Sequence, residues 1–193
     1  MEILNISIKG LSPILLHSDR YANPLDPGAK AHKVLTGKRV KTDEDHAAIA
    51  ESEWRGGLYF SKGIGVYLPT ANIRSCIVEG AKLSKLGKAI QRGTIILEDK
   101  VALIYKGPRD IQDLWNDGGF ADCRSVVISG KRLMRHRPIF KEWSAKVSIT
   151  FDPSVVESAQ IVRSASDAGA LIGLGDFRPN KGGSFGRFEV EVI

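Results

Sequence analysis

The sequence predicts an α+β fold with a ferredoxin-like, RRM-like βαββαβ core: a four-stranded antiparallel sheet with two helices on one face. Three observations predict it. The opening and closing residues alternate between apolar and polar, the signature of half-buried strands. Two stretches, opened by Pro69-Thr70 and by Asp152-Pro153-Ser154, repeat apolar residues at helical spacing. Strand-like runs fall around them in the order strand, helix, strand, twice over.

The first strand runs from Glu2 to Gly10, with Leu4, Ile6 and Ile8 on one face and Ile3, Asn5, Ser7 and Lys9 on the other. Pro13 disfavours a central sheet position just after it. From about His17 to Arg55 apolar periodicity is weak, and Asn23-Pro24 and Asp26-Pro27-Gly28 interrupt it. This reads as a long exposed segment with at most one short helix, near Asp43 to Trp54. Residues 57–60 and 65–68 form a hairpin about Lys62-Gly63. The first helix follows, with Thr70 as its cap and Ile73, Ile77 and Ala81 on its buried face. Strands follow at 94–97, 101–105, 125–128 and 146–151. The second helix starts at Asp152-Pro153-Ser154, with Val155, Ala159, Val162 and Ala165 or Ser166 inward and Leu171 near its end. Arg187 to Ile193 is the last strand. This gives one domain, 1–193, with insertions at about 17–68 and 107–144.

A chain of 193 residues, 42% of them hydrophobic, can bury a full core, which argues against disorder. There are 28 Lys and Arg against 22 Asp and Glu, so the net charge is +6 and an anionic partner is favoured. Cys76 and Cys123 have no metal-ligand spacing and read as buried free thiols in a reducing compartment. No signal peptide or membrane-spanning run is visible, so a cytoplasmic location is expected. Gly173-Leu174-Gly175 lacks the third glycine of a dinucleotide fingerprint and precedes a strand, not a helix. No phosphate-binding Gly-Lys-Ser/Thr loop or zinc spacing occurs, and neither cofactor nor metal is expected.

The richest segment lies near the end. Five glycines occur in the fourteen residues from Gly173 to Gly186: Gly173, Gly175, Gly182, Gly183 and Gly186. Without Cβ atoms a ligand can approach the backbone, and open amides can face phosphate oxygens. Arg178, Lys181 and Arg187 add fixed charge, and Phe177 and Phe185 exceed what a linker needs. An ordinary mobile connection is the competing reading. A second basic run comprises Arg124, Lys131, Arg132, Arg135, His136, Arg137, Lys141 and Lys146. Val126, Ile128, Leu133, Met134, Ile139, Phe140 and Trp143 interleave it. Such a hairpin can neutralise phosphates and wedge against single-stranded bases, or it can be a solvated basic face over a core. His17, Asp19, Asp26, His32 and His46 lie in the first insertion. A histidine or aspartate there could serve acid–base cleavage of RNA, with a plain surface role as the alternative.

Three stretches together resemble the RAMP superfamily of CRISPR-associated proteins, nearest to the backbone subunits that coat guide RNA. Ile6-Ser7-Ile8-Lys9-Gly10-Leu11-Ser12-Pro13-Ile14 is similar to the family's first strand and turn. Val66 to Arg74 is similar to the family's lead-in to its first helix, with Thr70-Ala71 where a Gly-Ser pair is usual. Gly173 to Phe188 is similar to its C-terminal glycine-rich loop and closing strand. The chain is short for such a subunit, and a diverged or phage-encoded relative is an alternative.

The resemblance implies a non-catalytic subunit that binds single-stranded RNA and assembles head to tail with itself and with other effector subunits. Arg74 would join the glycine loop in contacting the RNA backbone. Some members cut RNA with an aspartate near the first strand, a place Asp19 or Asp26 could take. An endoribonuclease using His17, His46 or Asp19 is therefore the alternative activity. A structural assembly protein and a single-stranded DNA binder complete the alternatives.

Overall fold

The computed structural model describes all 193 residues, apart from the side chain of Ile128. In chain order the elements begin with β1 (Glu2–Gly10), β2 (Ile14–Leu15), α1 (Pro27–Thr36), α2 (Asp43–Gly57), β3 (Phe60–Ser61), β4 (Gly65–Pro69) and α3 (Thr70–Leu83). They continue with α4 (Gly87–Gly93), β5 (Thr94–Ile96), β6 (Lys100–Ala102), α5 (Ile111–Asp117), β7 (Ala121–Ile128) and β8 (Lys131–Phe140). The last are β9 (Ser144–Phe151), α6 (Ser158–Asp167) and β10 (Phe188–Val192). They form two compact units: Met1–Ile14, Phe60–Lys106 and Phe140–Ile193 in the first, Leu15–Tyr59 and Gly107–Ile139 in the second.

The first unit holds a four-stranded antiparallel sheet in the order β10-β1-β9-β5. With α3 between β1 and β5, and α6 between β9 and β10, this is the βαββαβ arrangement expected from the sequence. β1 is central, and its alternation fixes the register: Leu4 lies opposite Ile149, Ile6 opposite Val147 and Ile8 opposite Ala145. All six side chains are buried. A slip of one residue would turn this set to solvent. On the other face β1 and β9 show Ile3, Asn5, Ser7, Lys9, Lys146, Ser148 and Thr150. No aromatic ring stands there, so these strands lack the stacking platform of an RNA-recognition sheet.

Helix α3 buries Ile73, Cys76, Ile77 and Ala81, as its spacing predicts. Gly80 sets its distance from α6, because a Cβ there would lie 2.4 Å from the Ser164 carbonyl oxygen. Thr70 does not cap the helix; its hydroxyl donates to the Glu98 carbonyl. The second helix begins at Ser158, not at Asp152. The Asp152 carboxylate instead accepts from the Ser154 amide (2.9 Å) and hydroxyl (2.7 Å), closing a local turn. The inward face shifts accordingly to Ile161, Ser164 and Ala165, whereas Val155, Ala159 and Leu171 are exposed and Val162 is half-buried. The short helix α4, with Ile90 buried, carries no strong periodic signal. The hairpin of β3 and β4 forms as expected and joins β6 in a separate three-stranded sheet.

The second unit corrects the expectation of a long exposed segment. Asp26 caps α1 by accepting from the Ala29 amide (3.1 Å), with Pro27 at the first helical position. Thr42 and Asp45 bond reciprocally at the start of α2. Trp54 on α2 is fully buried, donates its indole N–H to the Phe120 carbonyl (2.8 Å) and packs on Trp115 (ring centroids 5.5 Å). Leu15, Leu16, Leu58, Leu114 and Ile139 are also buried in this unit.

Only one of the two cysteines is buried. Cys76 donates to the Gly173 carbonyl (Sγ···O 3.2 Å), and burial pushes its thiol up to about 12. Cys123, expected to be buried, is exposed on β7. With an excess of a thiol-specific disulfide reagent, the native protein should therefore release one equivalent, and the second only in denaturant. Cys123→Ser should abolish the native reaction, and two fast equivalents would contradict this packing.

Candidate nucleic-acid interface

The glycine-rich loop leaves α6 through one widened turn, in which the Gly173 amide donates to the Ala168 carbonyl (2.8 Å). It then folds on itself. Leu174 donates to Gly186 (2.9 Å), Gly186 to Pro13 (2.8 Å) and Gly183 to Arg178 (3.0 Å). The exit of β1 closes the far end: the Leu11 amide reaches the Arg187 carbonyl (2.8 Å), and the Arg187 amide reaches the Ser12 hydroxyl (3.0 Å). A Cβ on Gly186 would lie 1.8 Å from the Leu174 oxygen, and one on Gly183 would lie 1.7 Å from the Phe177 oxygen. These glycines thus serve close contact of backbone with backbone. The amides of Gly173, Gly182, Gly183 and Gly186, expected to face phosphate, bond to the protein's own carbonyls. Of the loop's binding candidates Gly173 is buried, Gly175 and Gly183 are half-buried and Gly182 is exposed.

The folded loop displays side chains. Phe177 adopts φ +48°, a left-handed conformation that costs a bulky residue roughly 1–2 kcal/mol. Its ring is 45% exposed and lies 6.3 Å from that of Phe185. The Arg178 guanidinium rests on the Gly175 carbonyl (2.8 Å) and the Arg187 guanidinium on the Ala170 carbonyl. Lys181 is exposed. Among the described residues, no carboxylate pairs with any of these three cations. Arg74 has a structural partner, since its guanidinium donates to the Gln91 carbonyl (2.5 Å) in the last turn of α4.

In the second unit β7 and β8 form a hairpin from Ala121↔Pro138 to Ile128↔Lys131. Ser129 and Gly130 both have positive φ, as a two-residue turn of this kind requires. Toward the tip, Val127, Leu133 and Met134 are exposed together with Lys131 and Arg132. Toward the root, charges are paired: Arg124 with Asp122 (2.6 Å) and Arg135 with Glu53 (2.9 Å). The basic run is therefore not one patch. Lys146 belongs to β9 in the first unit, where Phe140 and Trp143 are core residues, not wedges. The Ile128 side chain lies outside the described residues.

The catalytic candidates part company. Asp26 is occupied as the cap of α1 and by Arg20 (3.2 Å). Asp19 and His46 are exposed. His17, however, shares a cleft of about 250 Å³ in the second unit with His32, His136, Glu53, Arg135 and Arg137. Nothing in the spacing of residues 17, 32, 53 and 136 signals this gathering. Among the described residues, no group of His, Cys, Asp or Glu is arranged to hold a metal ion.

No protein-family model matches the chain, and no characterised protein matches it in sequence. Among solved structures it is similar to a chain in the cryo-EM structure of the Type III-B Cmr-beta bound to cognate target RNA. The TM-score is 0.48 at 15% identity, over 99% of this chain and 60% of that one. This chain thus spans less than two thirds of its neighbour, and at that level of likeness function must be argued from the residues themselves.

The two kinds of glycine in the loop separate experimentally. Gly182 has φ +76° with nothing within 4 Å of a built Cβ, so Gly182→Ala should cost only about 1 kcal/mol. Gly186→Ala forces the Leu174 backbone aside and should cost about 3 kcal/mol or more. Urea denaturation at constant slope measures both, and equal losses would contradict the clasped loop.

Proposed function

We propose that this chain binds single-stranded RNA, as a non-catalytic subunit that coats a guide RNA in the manner of the RAMP superfamily its motifs resemble. One observation carries the reading. The glycine-rich loop is clasped at both ends, exposes Phe177 in a strained conformation, and also carries Arg178, Lys181 and Arg187, three cations without a carboxylate partner among the described residues. A structural loop has no use for that combination. A nucleic-acid strand does: phosphates neutralise the cations and release counterions, and a base can stack on the ring, a contact worth about 1–3 kcal/mol. The tip of the β7–β8 hairpin offers a second surface of the same mixed kind, through Lys131, Arg132, Leu133 and Met134.

Successive copies would join head to tail along the strand and meet other subunits of a ribonucleoprotein. Both edges of the four-stranded sheet, β10 and β5, are open to such contacts, with Ile95 and Val192 exposed on them.

Binding to a mixed-sequence RNA should weaken linearly in log–log form as salt rises. Arg178→Ala, Lys181→Ala and Arg187→Ala should each lower the slope by about 0.7, the value for one phosphate of a single strand. Phe177→Ala should weaken binding about tenfold at unchanged slope. The same titration with single-stranded DNA reports whether the sugar matters. A flat salt response, or slopes untouched by all three charge removals, would overturn the proposal.

A further inference from the structure

We propose that the cleft of the second unit is a receptor for a terminal phosphate group, distinct from the glycine loop. Its lining carries two guanidiniums and three imidazoles. Arg135 and Arg137 alternate along β8 and so lie on one side of the strand, and His17, His32 and His136 complete the walls. Among the described residues, the carboxylate lining the cleft is Glu53, and its oxygens are already engaged. One accepts from the Arg135 guanidinium (2.9 Å), the other from the His136 amide (3.1 Å). Glu53 thus acts as a positioning residue that fixes Arg135 and the strand.

The walls are built in advance. His32 is held by the Ser52 hydroxyl (3.1 Å) and faces the Tyr21 ring at 5.3 Å, while the Tyr21 hydroxyl donates to the Ser52 carbonyl (2.9 Å). Gly56 makes room for that tyrosine, because a Cβ there would sit 2.3 Å from its ring. The carbonyl of Gly57, the last of α2, accepts from the Ser18 amide (2.9 Å), so one lone pair at the negative helix end is already occupied. Forked guanidiniums and imidazoles gathered around a small cavity suit an oxyanion that can accept from several sides.

A phosphomonoester fits best. It carries close to two negative charges and three acceptor oxygens, whereas an internal phosphodiester carries one charge and offers fewer free oxygens. A volume of about 250 Å³ is small against the roughly 300–1,000 Å³ of pockets that enclose whole ligands. The cleft therefore takes the phosphate and its sugar and leaves the remainder outside. The phosphate could be the end of an RNA strand or belong to a free mononucleotide.

The test titrates the full chain with one short RNA bearing a terminal phosphate or a terminal hydroxyl, at each end in turn, and with adenosine monophosphate. The phosphorylated RNA should bind about tenfold more tightly at one end. His32→Gln and Arg137→Gln should each erase that ratio while leaving the melting temperature near that of the unaltered protein. Arg178→Ala should weaken both RNAs and keep the ratio, so a failure of the glycine-loop reading would not be mistaken for a failure of this one. Strong binding of the mononucleotide alone would assign the cleft to free nucleotides; its absence beside a phosphate-dependent strand would assign it to strand ends. Equal affinity for phosphorylated and hydroxyl ends, with no binding of adenosine monophosphate, would overturn the proposal.

Discussion

Strand β1 is the constraint from which the first unit takes its order. It pairs with β9 on one side and β10 on the other, and its exit at Leu11–Pro13 bonds to both Gly186 and Arg187. The two kinds of interaction differ in strength. Each fully buried aliphatic side chain of the Leu4, Ile6 and Ile8 row contributes about 1.5–3 kcal/mol, whereas each backbone hydrogen bond of the latch nets about 0.5–1.5. Burial therefore fixes the register, and the latch follows from it. A residue as far away as Ile6 helps determine where Arg187 stands.

That dependence explains the glycines of the loop. Bulk is missing because two backbone segments must cross in contact, at Gly186 over Leu174 and at Gly183 over Phe177. The result is a rigid turn whose polar main chain is largely consumed inside. What remains for a partner is side chains: one ring in a strained conformation and three cations. Holding Phe177 at φ +48° costs energy that the closed loop must supply, so the ring is displayed before any ligand arrives and less freedom is lost on binding.

The legible parts of the sequence were those with a period. The alternation of β1 and the helical spacing of α3 each name their buried face, and with the strand order they specify the core. Boundaries set by single hydrogen bonds were harder. The dipeptide Asp-Pro occurs at 26–27 and at 152–153 with opposite outcomes. Asp26 starts a helix in a stretch that looked like a loop, because Gly28, Ala29 and Lys30 follow and leave its carboxylate for the Ala29 amide. Asp152 starts none, because Ser154 takes the carboxylate with both amide and hydroxyl, and two β-branched valines come next. For the candidate site, the place of the glycine loop was readable, but the internal use of its amides was not. The pairing of Asp122 with Arg124 lies two residues apart on one strand face and has a local signature. Glu53 with Arg135, and the grouping of His17, His32 and His136, join distant segments and have none.

The hairpin of the second unit shows why pairing at its root and freedom at its tip belong together. A two-stranded ribbon is marginal by itself in water, and here the tip exposes Val127, Leu133 and Met134. Ion pairs such as Arg124 with Asp122 contribute at most about 1 kcal/mol when partly exposed, too little to hold a ribbon alone. The anchor is apolar: Ile139 and Pro138 are buried, and the neighbouring Trp54 is locked by its bond to Phe120. The pair of Arg124 with Asp122 then acts mainly to keep polar groups satisfied beside that anchor. At the free end of the run stand Lys131 and Arg132. With a flexible methionine beside them, they form a surface able to adapt to a partner, whereas the clasped loop of the first unit offers a fixed one.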